Sequence, residues 1–171
     1  MVILVLTASS GCLWSPDIQE AEGEALHPPE IVLEQLTPPV AAGFLTIEDP
    51  CAPFLFKVGT VRERNLRDVL YIRWYVDFLG KASVPPVRDL YLAPSGGEER
   101  NGSPQLDWSV IADGQSSVWK QAVHTVTVFV ADRPYANQPD PEKDPIVFAD
   151  PEAQYDTWQW TFQVAQGITC E

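Results

Sequence analysis

Between Asp68 and Asp77 every second side chain is apolar. Leu70, Ile72, Trp74 and Val76 fall on one side, and Tyr71, Arg73, Tyr75 and Asp77 on the other. A helix would spread both sets around its axis, so the spacing predicts a strand with one face in a core. Three further segments carry the same period. Phe54, Phe56 and Val58 alternate with Leu55 and Lys57 just after Cys51. In His124–Asp132, Val126, Val128 and Val130 oppose Thr125, Thr127 and Phe129. In Thr157–Thr169, Trp158, Trp160, Phe162, Val164 and Ile168 oppose Gln159, Thr161 and Gln163.

Weaker signals complete the pattern. Ile31–Leu36 reads as a first strand bounded by the pairs Pro28-Pro29 and Pro38-Pro39, and Phe44–Ile47 as a short edge piece. Val87–Leu92 and Leu106–Ala112 read as strands. Pro94–Pro104 is expected to be loop, and Asp113-Gly114 a hairpin turn. Sixteen prolines in 171 residues, against a usual ~5%, favour short strands and rigid connections over long helices. With 45% hydrophobic residues, the chain has material for one core. The expected fold is all-β, an antiparallel sandwich of about seven strands over residues 30–171.

Charge narrows the partners. A net charge of −13 and a pI near 4.4 repel nucleic acid and anionic headgroups. His27 and His124 stand in no metal-ligand pattern, and Ser95-Gly96-Gly97 is a flexible loop, not a nucleophile turn. Nothing singles out two of the 24 acids as a hydrolytic pair. One acidic segment, with Asp140, Asp144, Asp150 and Asp156 in the long connection before the last strand, has the oxygen-rich character that calcium requires. The alternative there is a solvated loop turned by its prolines.

The N-terminus carries a short apolar run, Met1–Leu6, then the small residues Thr7–Gly11, then Cys12. In this stretch the chain resembles the bacterial lipoproteins, with Gly11 as the small residue before the modified cysteine. Ser9 departs from the usual aliphatic residue, and the run has no basic start. The resemblance implies a signal segment over 1–11, truncated at its start, and lipidation of Cys12; a buried strand with a free thiol is the competing reading. Residues 12–29, with Glu20, Glu22 and Glu24 among Ala and Gly, then form a solvated tether. With Cys12 consumed as that resemblance implies, Cys51 and Cys170 become disulfide partners in an oxidising compartment, the alternative being two free buried thiols. Such a bridge closes a loop of about 120 residues, for which the chain-entropy model gives ~5 kcal/mol.

Arg73–Asp77 and His124–Asp132 resemble the Trp-bearing central strand and the Thr/Val late strand of immunoglobulin-like domains of bacterial surface proteins, the polycystic-kidney-disease and cadherin-like kind. The Gly-Asp-Gly turn of the former is missing. Together the resemblances imply a non-enzymatic, lipid-anchored envelope protein, at the outer membrane of a Gram-negative bacterium. Its sandwich would serve structural, adhesive or docking interactions with a protein or polymer partner, without nucleic acid and without a cofactor other than calcium. The competing expectation is a hydrolase or carbohydrate-processing module built on scattered carboxylates. Tyr71, Tyr75 and Phe129, opposite the expected core, are the first candidates for a contact surface; packing under a neighbouring segment is their other reading.

Overall fold

The alternating stretch from Asp68 is a strand buried on both faces. The computed structural model describes residues 27–49, 52–78, 86–102, 104–107, 123–136 and 148–165. Within them the chain order is β1 (Glu30–Ile31), β2 (Leu36–Thr37), β3 (Leu45–Ile47), β4 (Leu55–Val58), β5 (Val61–Arg62) and β6 (Leu70–Val76). There follow β7 (Arg88–Leu92), β8 (Glu99–Arg100), β9 (Gln105–Asp107), β10 (Val123–Ala131) and β11 (Tyr155–Val164). The protein is mostly β, and its strand pairs are antiparallel except β3–β11.

The main sheet has five strands in the order β3-β11-β10-β6-β7. Its register lays one apolar row across three strands, Trp74 opposite Val128 and Val128 opposite Trp158. Two three-stranded sheets, β1-β5-β8 and β2-β4-β9, supply Ile31, Leu36, Phe56, Val58, Val61 and Leu106 to the same core. Phe56 lies 5.4 Å from Trp160 and 5.3 Å from Phe162, and Trp74 stacks on Trp160 at 6.0 Å and 10°. These rings pack against one another between the layers.

The continuous strand expected over Ile31–Leu36 is interrupted. A 3-10 turn at Leu33–Gln35, closed by the Gln35 amide donating to the Val32 carbonyl, moves the chain from one small sheet to the other. Its partner segment breaks at the same level, between β4 and β5, at Gly59. The Gly59 amide donates to the Gln35 carbonyl at 3.0 Å, and a Cβ there would stand 2.6 Å from that oxygen. Only glycine allows this approach, so the two strands change sheets together. The expected loop Pro94–Pro104 also needs correction, because it contains β8 paired with β5. The expected turn at Asp113-Gly114 lies outside the described residues.

A second, smaller cluster covers the outer face of β6 and β10. Tyr75, Phe129, Ala131 and Tyr135 are buried there, with Tyr71, Phe78 and Phe148 packed against them. Tyr135 and Phe148 pair as an antiparallel bridge and stack at 5.1 Å, so the segments flanking this part of the long connection close over the sheet. The Tyr135 hydroxyl donates to the Phe129 carbonyl. Arg73 holds Asp89 through two 2.8 Å bonds, with its guanidinium 4.2 Å from the centre of the Tyr135 ring. Tyr71, Tyr75 and Phe129 are therefore core or near-core residues, not a free contact surface. Their cover is the connecting segment, the second of the two readings open for them.

Candidate functional site

Of the positions nominated from sequence, Cys12, Cys51, Cys170, Asp140 and Asp144 lie outside the described residues. Asp150 and Asp156 lie within them and are occupied by protein donors. Asp150 accepts the Glu152 amide and sits 3.6 Å from Arg133. Asp156 accepts the Ile31 amide with one oxygen and the Thr157 amide with the other. Asp156 thereby fastens the start of β1 to the main sheet, and among the described residues no hydrogen-bond or ion-pair partner is common to the two carboxylates. Among the described residues no three His, Cys, Asp or Glu side chains form a group able to hold a metal. The calcium expectation thus rests on Asp140 and Asp144.

His124 is fully enclosed and its Nδ1 lies 2.8 Å from Asp77 Oδ2, while Asp77 Oδ1 accepts the Thr125 amide. Asp77 has a φ of 52°, a left-handed conformation that Asp tolerates better than bulkier residues. One carboxylate thus ties the end of β6 to the start of β10.

A denser polar cluster joins the β5–β6 connection, β8 and the end of β10. Arg100 is 1% exposed, and its guanidinium donates to Ser95 Oγ and the Gly97 and Leu66 carbonyls at 2.9–3.0 Å. Glu63 is wholly buried; its Oε1 accepts the Asn65 amide at 2.7 Å, and its Oε2 has no hydrogen-bond partner among the described residues. Asp132 accepts the Gln154 amide. Arg133 spans Asp68, Asp132 and Asp150.

Burial raises the Glu63 carboxyl above its ordinary 4.5, and the nearby charges of Asp68 and Asp132 add to this against the Asn65 amide and Arg100. Burial likewise raises Asp132, opposed by the Gln154 bond and Arg133. Both groups hold protons more firmly in the folded chain than in the unfolded one. The stability they contribute is full below their ordinary values and is lost as pH rises through the elevated folded ones. Glu63→Gln keeps a neutral side chain at every pH. Urea unfolding from about pH 4 to pH 8 is expected to show the variant gaining on the parent chain as pH rises. A constant difference across that range would contradict this.

Among the described residues, two cavities bear on binding. The first, about 350 Å³, lies where the N-terminal segment meets the sheet, between His27, Pro28, Pro29, Glu30, Arg64, Tyr155 and Asp156. The second, about 320 Å³, is a notch in the edge of the main sheet. β3 pairs with β11 only from Phe162 onward, and Ile31 reaches β11 at Asp156. The edge of β11 between those points meets a second 3-10 turn, Val40–Ala42, which ends at Gly43 with φ 61°. Because the notch opens at a strand edge, residues from both faces of β11 reach it: Trp158 and Trp160 from one, Gln159 and Thr161 from the other. Phe44 (54% exposed) and Val40 line the opposite wall. Trp160 is fixed by its indole N–H donating to the Pro38 carbonyl at 2.9 Å.

Sequence reasoning placed Trp158 and Trp160 on the right face of the right strand but did not foresee the notch. The notch depends on where β3 stops beside β11, a long-range pairing that no local pattern records. The uncharged alternation of aromatic and polar residues in Trp158–Thr161 was a local signal of its chemistry. Compared with known proteins, the chain matches no family model, no curated sequence and no solved structure.

Proposed function

We propose that this chain is a non-enzymatic envelope lipoprotein, held at the outer membrane of a Gram-negative bacterium through lipid on Cys12. The all-β domain would be an immunoglobulin-like sandwich displayed beyond an acidic tether, with Cys51 and Cys170 bridged, for adhesive or docking contacts. The observation that carries the binding role is the β11 notch, whose lining of aromatic, aliphatic, amide and hydroxyl groups includes no ionisable side chain. A binding site needs an apolar wall with a few directional polar groups, and the notch has both.

The competing hydrolytic reading requires two carboxyls with shifted proton affinity facing a cleft. Glu63 and Asp132 have the shift, but neither is among the residues lining the N-terminal cavity or the β11 notch. Glu63 accepts the Asn65 amide within the β5–β6 connection and Asp132 accepts the Gln154 amide, so each holds backbone beside it in place.

The anchor is tested by growing cells on an alkyne-tagged fatty acid and fractionating them. The parent chain is expected to carry the tag in the outer-membrane fraction, and Cys12→Ser to lose the tag and leave that fraction. An untagged parent chain in the soluble fraction would contradict the proposal.

A further inference from the structure

We infer that the notch at the β11 edge is a subsite for a neutral polysaccharide. The inference rests on the binding role proposed above and assigns that role a ligand class. It starts from charge. The chain has 24 acids and 11 Lys or Arg, yet this cavity of about 320 Å³ is lined by none of them. A charged ligand entering it would lose hydration without gaining a counter-charge. The net charge of −13 further disfavours an anionic polymer at long range. The ligand is therefore uncharged.

The lining then selects among uncharged ligands. Trp158 and Phe44 offer ring surface for the apolar face of a sugar, with Pro39 and Val40 extending it. Polar groups stand beside the rings. The Thr161 hydroxyl both donates and accepts. Gln159 is held by its Nε2 donating to Thr127 Oγ1 at 3.0 Å, which leaves its amide oxygen as an acceptor. Rings beside mixed donors and acceptors match a pyranose, which has C–H faces and a rim of hydroxyls. An added peptide strand fits less well, because the free edge is bounded at Asp156 by Ile31 and at Phe162 by Leu45. The turn at Val40–Ala42 also stands beside it. The volume is at the small end of the ~300–1,000 Å³ usual for ligand cavities, so the polymer would seat part of its chain and run on into solvent.

The test is native affinity electrophoresis of the full chain, extracted with its acyl group. Gels would contain hydroxyethyl cellulose, xylan, glycogen or dextran, with alginate as the anionic comparison. A proline-rich peptide is titrated separately by tryptophan fluorescence. At least one neutral polymer is expected to retard the parent chain. Phe44→Ala, a change at an exposed residue, should weaken retardation at least several-fold, and Trp158→Ala at least tenfold. Tyr91→Ala, at a residue 73% exposed and outside the notch, should leave it unchanged. Retardation by no neutral polymer, retardation untouched by Phe44→Ala, or a preference for alginate would each overturn the inference. So would binding of the proline-rich peptide in place of the sugars. An acylated chain that ignores every neutral polymer would sink the ligand assignment while leaving the anchor intact, so the two failures are separable.

Discussion

Trp74→Ala is expected to lower the unfolding free energy by ~3–5 kcal/mol. Trp74 has no solvent exposure, stacks on Trp160 and stands opposite Val128 in the central row of the main sheet. Truncation removes the ring and leaves a void that β6 and β10 are poorly placed to fill. They are bonded along six register pairs, and the outer aromatic cluster backs them. The strands cannot close inward without disturbing that second layer. Urea unfolding followed by circular dichroism reads the effect as a lower midpoint with an unchanged slope. Tyr91→Ala, on an exposed stretch of β7, should stay within ~0.5 kcal/mol of the parent. A Trp74→Ala loss no larger than that of Tyr91→Ala would mean that Trp74 does not sit between the layers.

Arg100→Met should cost a similar ~3–5 kcal/mol, for a different reason. Met fills much of the space but donates nothing. The Gly97 and Leu66 carbonyls and the Ser95 hydroxyl each lose a donor. Glu63 also loses the positive charge that opposes its raised proton affinity. Arg100→Lys should rescue little, because an ammonium cannot reproduce a planar fork reaching several acceptors. Adding Glu63→Gln to Arg100→Met should recover part of the loss, since a neutral amide needs no counter-charge. Strictly additive effects in that double-mutant cycle would show that Glu63 and Arg100 do not communicate.

These two residues also mark what could and could not be read from sequence. Trp74 was legible because seven consecutive residues of β6 keep a strict period of two, and the same holds for β10 and β11. Long runs record which face meets the core. Arg100 was not legible. It lies in a Gly- and Ser-rich stretch that reads as loop, and its burial depends on carbonyls from Asn65–Leu66, 34–35 residues away. The sheet change at Leu33–Gln35 was hidden for the same reason, since it goes with a long-range contact, the Gly59 amide on the Gln35 carbonyl.

For the outer face of β6 the sequence offers two readings, a free contact surface or packing under a neighbouring segment, and the structure shows the second. Tyr71 and Tyr75 alternate properly, but their cover comes from Tyr135 and Phe148, isolated aromatics in a Pro- and Asp-rich connection without periodicity. Period two told which side chains share a face; it could not tell whether a second face is also buried. The notch was less visible still, because it is a gap between two pairings. Its chemistry was nonetheless present in the composition of Trp158–Thr161, where aromatic and uncharged polar residues alternate without a single charge.

Everything proposed about where this domain works depends on a fatty chain attached to sulfur at residue 12, and one mass spectrum addresses that directly. The chain would be extracted from native membranes in detergent and its intact mass recorded before and after reduction. The account predicts a species beginning at residue 12, heavier than its peptide by the acyl groups, that gains mass on reduction as a 51–170 bridge opens. An unmodified chain retaining Met1, with all thiols free, would contradict it.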